Sequence, residues 1–219
     1  MKSDILTDDQ VALLKYIGGS RSVTERFYLT GGTPLAAFYL GHRYSEDLDF
    51  FSENEIDLAG LQLFMGEMKR ALKIKRIDFQ QSFNRNLFFL HFKGGVVKTE
   101  FTYFPFSPVE KGIVKWGVQT DSLLDIAVNK VFTIYQRTKA RDYIDLFCIC
   151  KRKGYAVSDL IKKARIKFDW HIDPLQLGTQ FMKAHEASDM PRMIVKVVKE
   201  EWQGFFIEEA KKLGPEVIA

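Results

Sequence analysis

Apolar and polar positions along this chain follow two periods, and the change from one to the other divides it. Thr7 to Ile17 has the spacing of a short amphipathic helix, with Thr7 as N-cap and Gly18-Gly19 as the stop. Phe27 to Thr30 is a brief apolar run ending at Gly31-Gly32, and Pro34 to Leu40 reads as a helix with Thr33 as N-cap and Pro34 in its first position. Leu48 to Phe51 alternates with acids, which suits a half-buried strand, and Asp57 to Leu72 returns to helical spacing. Three strands are predicted next, over Ile74–Gln81, Asn86–Phe92 and Val96–Phe104, with Gly94-Gly95 as a hairpin turn. After Pro105 and Pro108 the pattern turns helical: Ser122–Tyr135, Asp142–Cys150, Val157–Ala164 and Pro191–Lys212 all read as helices, with no convincing strand among them.

The expected class is α+β, a mixed sheet flanked by helices followed by a helical C-terminal half. The expected division is an α/β core over residues 1–115 and a helical region over 116–219. Composition supports an ordinary globular chain: 219 residues, 46% hydrophobic, 27% charged and 14% aromatic, with no repeat or low-complexity segment. The N-terminal residues lack the apolar core of a signal peptide and no run is long enough to span a bilayer, so the expectation is a cytoplasmic protein with no membrane partner. Cys148 and Cys150, two apart on a helix, cannot close an ordinary disulfide and read as small apolar residues. Net charge is +4, but Arg137–Lys167 holds ten Lys/Arg against three Asp, leaving −3 for the remainder. Such a cluster attracts phosphates or nucleic acid, or is the solvated face of surface helices.

The most informative stretch runs from Leu29 to Phe51. Two glycines close a strand and open a helix, where backbone N–H groups can face a phosphate, and the Thr33 hydroxyl stands beside them. Asp47 and Asp49 follow fourteen residues after Thr33, on one face of a strand whose Leu48 and Phe50 point to the core. Two carboxylates that close repel unless a cation sits between them, and Mg²⁺ meets the need while also accepting phosphate oxygens. The alternative is that both acids lie on the solvent face of an edge strand. Arg43 suits a phosphate contact or an ion pair with Glu46 or Asp47, and His42 suits a hydrogen-bonding role.

The pattern G-G-T-x-L-A…L-G-H-R-x-S-x-D-L-D-F-F resembles the signature of the abortive-infection toxin-type (AbiEii/AbiGii) nucleotidyltransferases, within the polymerase-beta-like nucleotidyltransferase superfamily. That resemblance implies a nucleoside triphosphate (NTP) donor, one or two Mg²⁺, and nucleotidyl transfer with release of pyrophosphate. It further implies a toxin paired with a cognate antitoxin, and a tRNA or other RNA acceptor. Gly31, Gly32 and Thr33 would hold the donor phosphates, and Asp47 and Asp49 would bind metal.

The superfamily chemistry also needs a third acid on a neighbouring strand. Glu100 is the first candidate; it shares a strand face with Lys98 and Thr102, and a salt bridge to Lys98 is its structural alternative. Relatives often carry Asp at this position, one methylene shorter. Asp78, among basic residues, competes with it and also reads as an ordinary ion pair. In the helical half, Lys130 and the Arg141-Asp142-Tyr143-Ile144-Asp145-Leu146 segment resemble the family's later motifs. Lys130 lies near an apolar stripe and wants an anion, either a triphosphate or a carboxylate. Asp142 and Asp145 share one helix face, so the alternatives are a nucleotide-binding set and a salt bridge pinning two helices. Arg137 and Arg141 could contact nucleotide or acceptor, whereas Trp170, Trp202, Phe205 and Phe206 read as packing residues.

The expected catalytic set is therefore Asp47, Asp49, Glu100 and Lys130, with Gly31, Gly32, Thr33, Arg43, Lys130, Asp142 and Asp145 for the nucleotide. Metal would fall to Asp47, Asp49 and Glu100. Rival functions are a non-catalytic nucleotide- or RNA-binding protein of the same fold, and nucleotidyl transfer to a small molecule or a protein.

Overall fold

In the computed structural model, which describes residues 5–218, Thr7 opens α1 (Asp8–Gly18) through a reciprocal capping box with Gln10. A single turn, α2 (Arg21–Thr24), leads to β1 (Tyr28–Thr30). Gly31 then N-caps α3 (Gly32–Pro34), which widens into a π-helical stretch over Leu35–Leu40. The expected N-cap, Thr33, lies inside that first turn, because its hydroxyl donates to the backbone carbonyl of Asp47. β2 (Leu48–Ser52) and α4 (Leu58–Ala71, capped by Asp57) follow, then β3 (Arg76–Ser82), β4 (Arg85–His91) and β5 (Val96–Tyr103).

Two short strands depart from the sequence reading: β6 (Ile113–Lys115) and β7 (Val118–Thr120) form a hairpin around Trp116-Gly117, both at positive φ. The helices are α5 (Leu123–Gln136), α6 (Ala140–Lys153), α7 (Val157–Phe168), α8 (Pro174–Met182) and α9 (Lys199–Ile218). α8 was absent from the periodicity reading, and the helix expected from Pro191 begins only at Lys199. Met193 instead forms an antiparallel bridge with Arg43, and the chain bends at Ile194 and Val195, whose backbone N–H groups both donate to the His42 carbonyl.

The chain folds as two compact units. The first comprises residues 1–39, 45–107 and 111–122; the second comprises 40–44, 108–110 and 123–219. The expected division at 115/116 differs from this partition because the β6–β7 hairpin belongs with the sheet.

In the first unit, the strands among the described residues form one mixed sheet in the order β3-β4-β5-β2-β1-β7-β6. β2 runs parallel to β5 and β1 parallel to β7; the other pairs are antiparallel. One face carries Leu29, Leu48, Phe50, Phe88, Leu90, Val97 and Phe101, which pack with Leu13, Leu14 and Ile17 of α1 and Leu61, Phe64, Met65 and Met68 of α4. Phe50 and Phe101 stack at 4.9 Å between ring centroids, and each buried ring contributes about 1.5–3 kcal/mol. Because strand side chains alternate, this apolar face forces Asp49, Lys98, Glu100 and Thr102 onto the opposite one.

In the second unit, α5 to α9 surround Tyr143, Phe181, Trp202 and Phe206, all fully buried. Tyr143 stacks on Trp202 at 6.1 Å and meets Phe206 edge-on at 5.0 Å. Trp170 is the exception to the packing reading, being 56% exposed. The two short excursions of the chain into this unit are each held by a buried aspartate. Asp125 accepts the backbone N–H groups of Val109 and Glu110, at 2.7 and 3.2 Å, and the Lys167 ammonium at 2.8 Å. Asp145 holds residues 42 and 43.

Candidate active site

The first unit brings the glycine turn and the acids together. Gly31 has φ 81° and ψ −150°, a conformation that only glycine adopts without strain. A Cβ at Gly31 would lie 2.9 Å from Asp49 Oδ2, so the carboxylate rests directly against this backbone. Thr30 pairs with Asp49 across β1 and β2, and Asp49 pairs with Glu100 across β2 and β5. The turn is tied to the strand it faces: the buried Thr33 hydroxyl bonds the Asp47 carbonyl and, at 2.8 Å, the Ser45 hydroxyl. Thr33 is thus engaged with the segment leading into β2, while Gly32 opens the helix.

Two cations lie on the acids. Lys98 Nζ is 3.0 Å from Asp47 Oδ2 and 4.0 Å from Glu100 Oε2. Arg85 grips Glu100 through two parallel bonds of 2.6 Å, and Thr102 donates to the same carboxylate at 2.8 Å. Burial acts to raise the Glu100 carboxyl, but the bonds from Arg85 and Thr102 outweigh it and hold the group below its ordinary value. Glu100 therefore takes its main partner from β4, not from Lys98 on its own strand. Asp78 sits 3.0 Å from Arg76 and 2.8 Å from His91, an ion-paired position on the edge hairpin.

Among the described residues no three acid, His or Cys side chains converge into a closed metal cage. Mg²⁺ does not need one, since it takes one or two carboxylates and completes its octahedron with phosphate oxygens and water. Asp49 lies in β2 and Asp47 immediately before it; both are hard oxygen donors, and the cationic side chains of Lys98 and Arg85 already lie on Asp47 and Glu100. The donor chemistry of Asp47 and Asp49, carboxylate oxygen, is of the kind a hard divalent cation takes.

The second unit gathers the other candidates into one buried network. Asp145, fully buried, accepts from Arg43 Nε at 2.7 Å and Nη2 at 2.8 Å, His42 Nε2 at 2.8 Å and Lys130 Nζ at 2.6 Å. Lys130 also meets Asp142 at 2.7 Å, and Arg137 reaches Asp142 at 3.0 Å. Burial opposes ionisation of both carboxyls, yet Lys130 and the guanidinium groups prevail: Asp142 is lowered and Asp145 is held well below its ordinary value. Arg43, read as a phosphate contact or an ion pair with Glu46 or Asp47, is on Asp145, and Lys130, read as a phosphate contact with a bridge to one aspartate as the alternative, bridges both aspartates. Arg141 lies exposed on the same helix.

Sequence reasoning missed Arg85 and Asp121. Asp121 is buried and accepts from the Thr30 hydroxyl, beside the Thr30–Asp49 row. Both positions follow from strand register, and the β6–β7 hairpin that places Asp121 has a signal in its Trp116-Gly117 turn.

The mixed sheet, with its glycine turn set against facing acids, is the scaffold of a nucleotidyltransferase by family membership. The family model for the nucleotidyl transferase AbiEii toxin of type IV toxin–antitoxin systems matches residues 20–213, and the chain belongs to that family. An uncharacterised protein of Aquifex aeolicus (strain VF5), aq_aa25, is 28% identical over 150 residues, covering 68% of this chain and 69% of that one. The fold is shared with JHP933 from Helicobacter pylori, with a TM-score of 0.60 and 20% identity over 94% of this chain and 89% of the other. A candidate nucleotidyltransferase from H. pylori superposes with a TM-score of 0.61 and 20% identity, over 97% of each chain.

Proposed function

We propose that this nucleotidyltransferase uses Mg²⁺ to transfer a nucleotidyl group from an NTP to an acceptor hydroxyl on RNA, tRNA foremost, as the toxin of a cytoplasmic toxin–antitoxin pair. The observation carrying this reading is the row Gly31–Asp49–Glu100, where a phosphate-accepting turn touches one carboxylate and registers with a second. The RNA acceptor draws on the local excess of seven positive charges over Arg137–Lys167. The antitoxin partner draws on the family alone.

In this reading the backbone N–H groups after Gly31 face the donor phosphates. Asp47 and Asp49 hold the metal, which supplies charge stabilisation at the transferring phosphorus and the departing pyrophosphate. The acceptor oxygen bonds to the α-phosphorus, the bond from that phosphorus to the α,β-bridging oxygen breaks to release pyrophosphate, and the hydroxyl proton passes to solvent. As held by Arg85, Glu100 is a weak base, so its ligand and positioning role suits this geometry better than proton abstraction. Arg43, Lys130, Asp142 and Asp145 enter as a buried positioning network, since carboxylates already engage the ammonium and the guanidinium.

Incubation with each α-labelled NTP, Mg²⁺ and total RNA tests the reading, run beside the Asp47→Ala/Asp49→Ala protein. Label on a discrete RNA band, lost in the double variant, is the expected result. Label on protein or a small molecule replaces the acceptor. Nucleotide binding without turnover, with Asp47 and Glu100 neutralised from within by Lys98 and Arg85, makes the chain a binding module.

A further inference from the structure

Of the two cations on the acid face, one is clamped and the other is exchangeable. Arg85 holds Glu100 through a bidentate pair of short, charge-assisted bonds, on a carboxylate only 7% exposed. Lys98 makes a single contact with Asp47, and both side chains are about a third exposed, at 27% and 37%. A monodentate, solvent-reached pair of this kind is weak and easily displaced. Its position is specific nonetheless. The parallel register that sets Leu48 against Thr99 and Asp49 against Glu100 places Asp47 opposite Lys98 when continued by one residue. The ammonium stands between Asp47 and Glu100, at 3.0 and 4.0 Å, where like charges would otherwise face each other.

We propose that Lys98 is a resident counter-ion of the acid site, occupying the cation position on Asp47 until a divalent metal displaces it, and thereby setting the metal affinity of the nucleotide-free protein. This rests on the reading of Asp47 and Asp49 as metal-binding. The lysine keeps the carboxylates paired when no metal is bound, and metal alone loads less tightly because it competes with this ammonium for Asp47. An incoming triphosphate offsets that competition by giving the released ammonium an anion. Lys98 is on this account a positioning and affinity-setting residue rather than a group acting on the reacting atoms.

Mn²⁺ binding to the purified full chain, read by electron paramagnetic resonance and by calorimetry without nucleotide, tests this. Lys98→Gln and Lys98→Met are expected to bind Mn²⁺ up to about fivefold more tightly than the parent, because the ion no longer has to displace an ammonium from Asp47. Lys98→Arg, which keeps the charge, should stay within about twofold of the parent. Unchanged affinity in Lys98→Gln and Lys98→Met, with binding lost in Asp47→Ala/Asp49→Ala, overturns the role of Lys98 and leaves the metal site standing. Mn²⁺ binding indifferent to the Asp47→Ala/Asp49→Ala change overturns the metal reading itself.

Discussion

Asp145 gathers two cations, Arg43 and Lys130, together with a hydrogen bond from His42, on one fully buried carboxylate. Such a group is costly to desolvate and is tolerated only because its partners are in place. Asp145→Asn keeps the shape but leaves two buried cations facing a neutral amide. It is expected to cost about 3–5 kcal/mol in urea unfolding. Arg43→Lys keeps the charge and loses the fork geometry, so its cost should be clearly smaller, about 1–2 kcal/mol. Equal losses in the two variants would show that charge alone, not the bidentate geometry, holds residue 43. The alternation of Leu48, Asp49 and Phe50 along β2 was legible in the sequence because a period of two needs only neighbouring residues; Asp47 stands just outside the strand. The partner of Arg43 was not, since Asp145 lies 102 residues away and nothing local marks the pairing.

At the level of elements, the decisive feature is the turn from β1 into α3. Gly31 must be glycine for two independent reasons, its backbone angles and the Asp49 oxygen 2.9 Å from where a Cβ would stand. Gly31→Ala is therefore expected to cost about 1–3 kcal/mol in stability. It should lower transfer activity well beyond that loss, because Asp49 has to move. Circular dichroism melts beside the labelled-NTP assay check this, and a variant destabilised but fully active would remove Gly31 from the site. The order of strand, glycine turn, helix and acidic strand was readable from the pattern. The widening of the helix over Leu35–Leu40 was not, because Thr33, expected as the cap, is drawn to the Asp47 carbonyl by a tertiary bond. β6 and β7, three residues each, are too short for a period to register. The late start of α9 has a physical signal in hindsight: Ile194, Val195, Val197 and Val198 are β-branched, poor helix formers, and they directly follow Met193, which bridges to Arg43.

For the molecule as a whole, the chain enters the helical unit twice before staying there, at residues 40–44 and 108–110. Each entry ends on a buried aspartate with a cationic partner, so the integrity of that unit depends on carboxylates remaining ionised. Asp142 and Asp145 both titrate below the ordinary value of 3.8 in the folded chain. Between that value and the lower folded one the unfolded chain binds more protons, so stability is full above about pH 4 and falls as pH drops further. Trp202, fully buried against Tyr143, reports on this unit. In a Trp116→Phe/Trp170→Phe background, Trp202 emission is expected to shift to the red below about pH 4 and to recover on neutralisation. Adding Asp145→Asn removes the more strongly lowered carboxyl, so urea midpoints followed through Trp202 should depend less steeply on pH between about 4 and 2. A slope as steep as the parent's would mean that other carboxylates govern acid unfolding and that the Asp145 network contributes packing rather than charge.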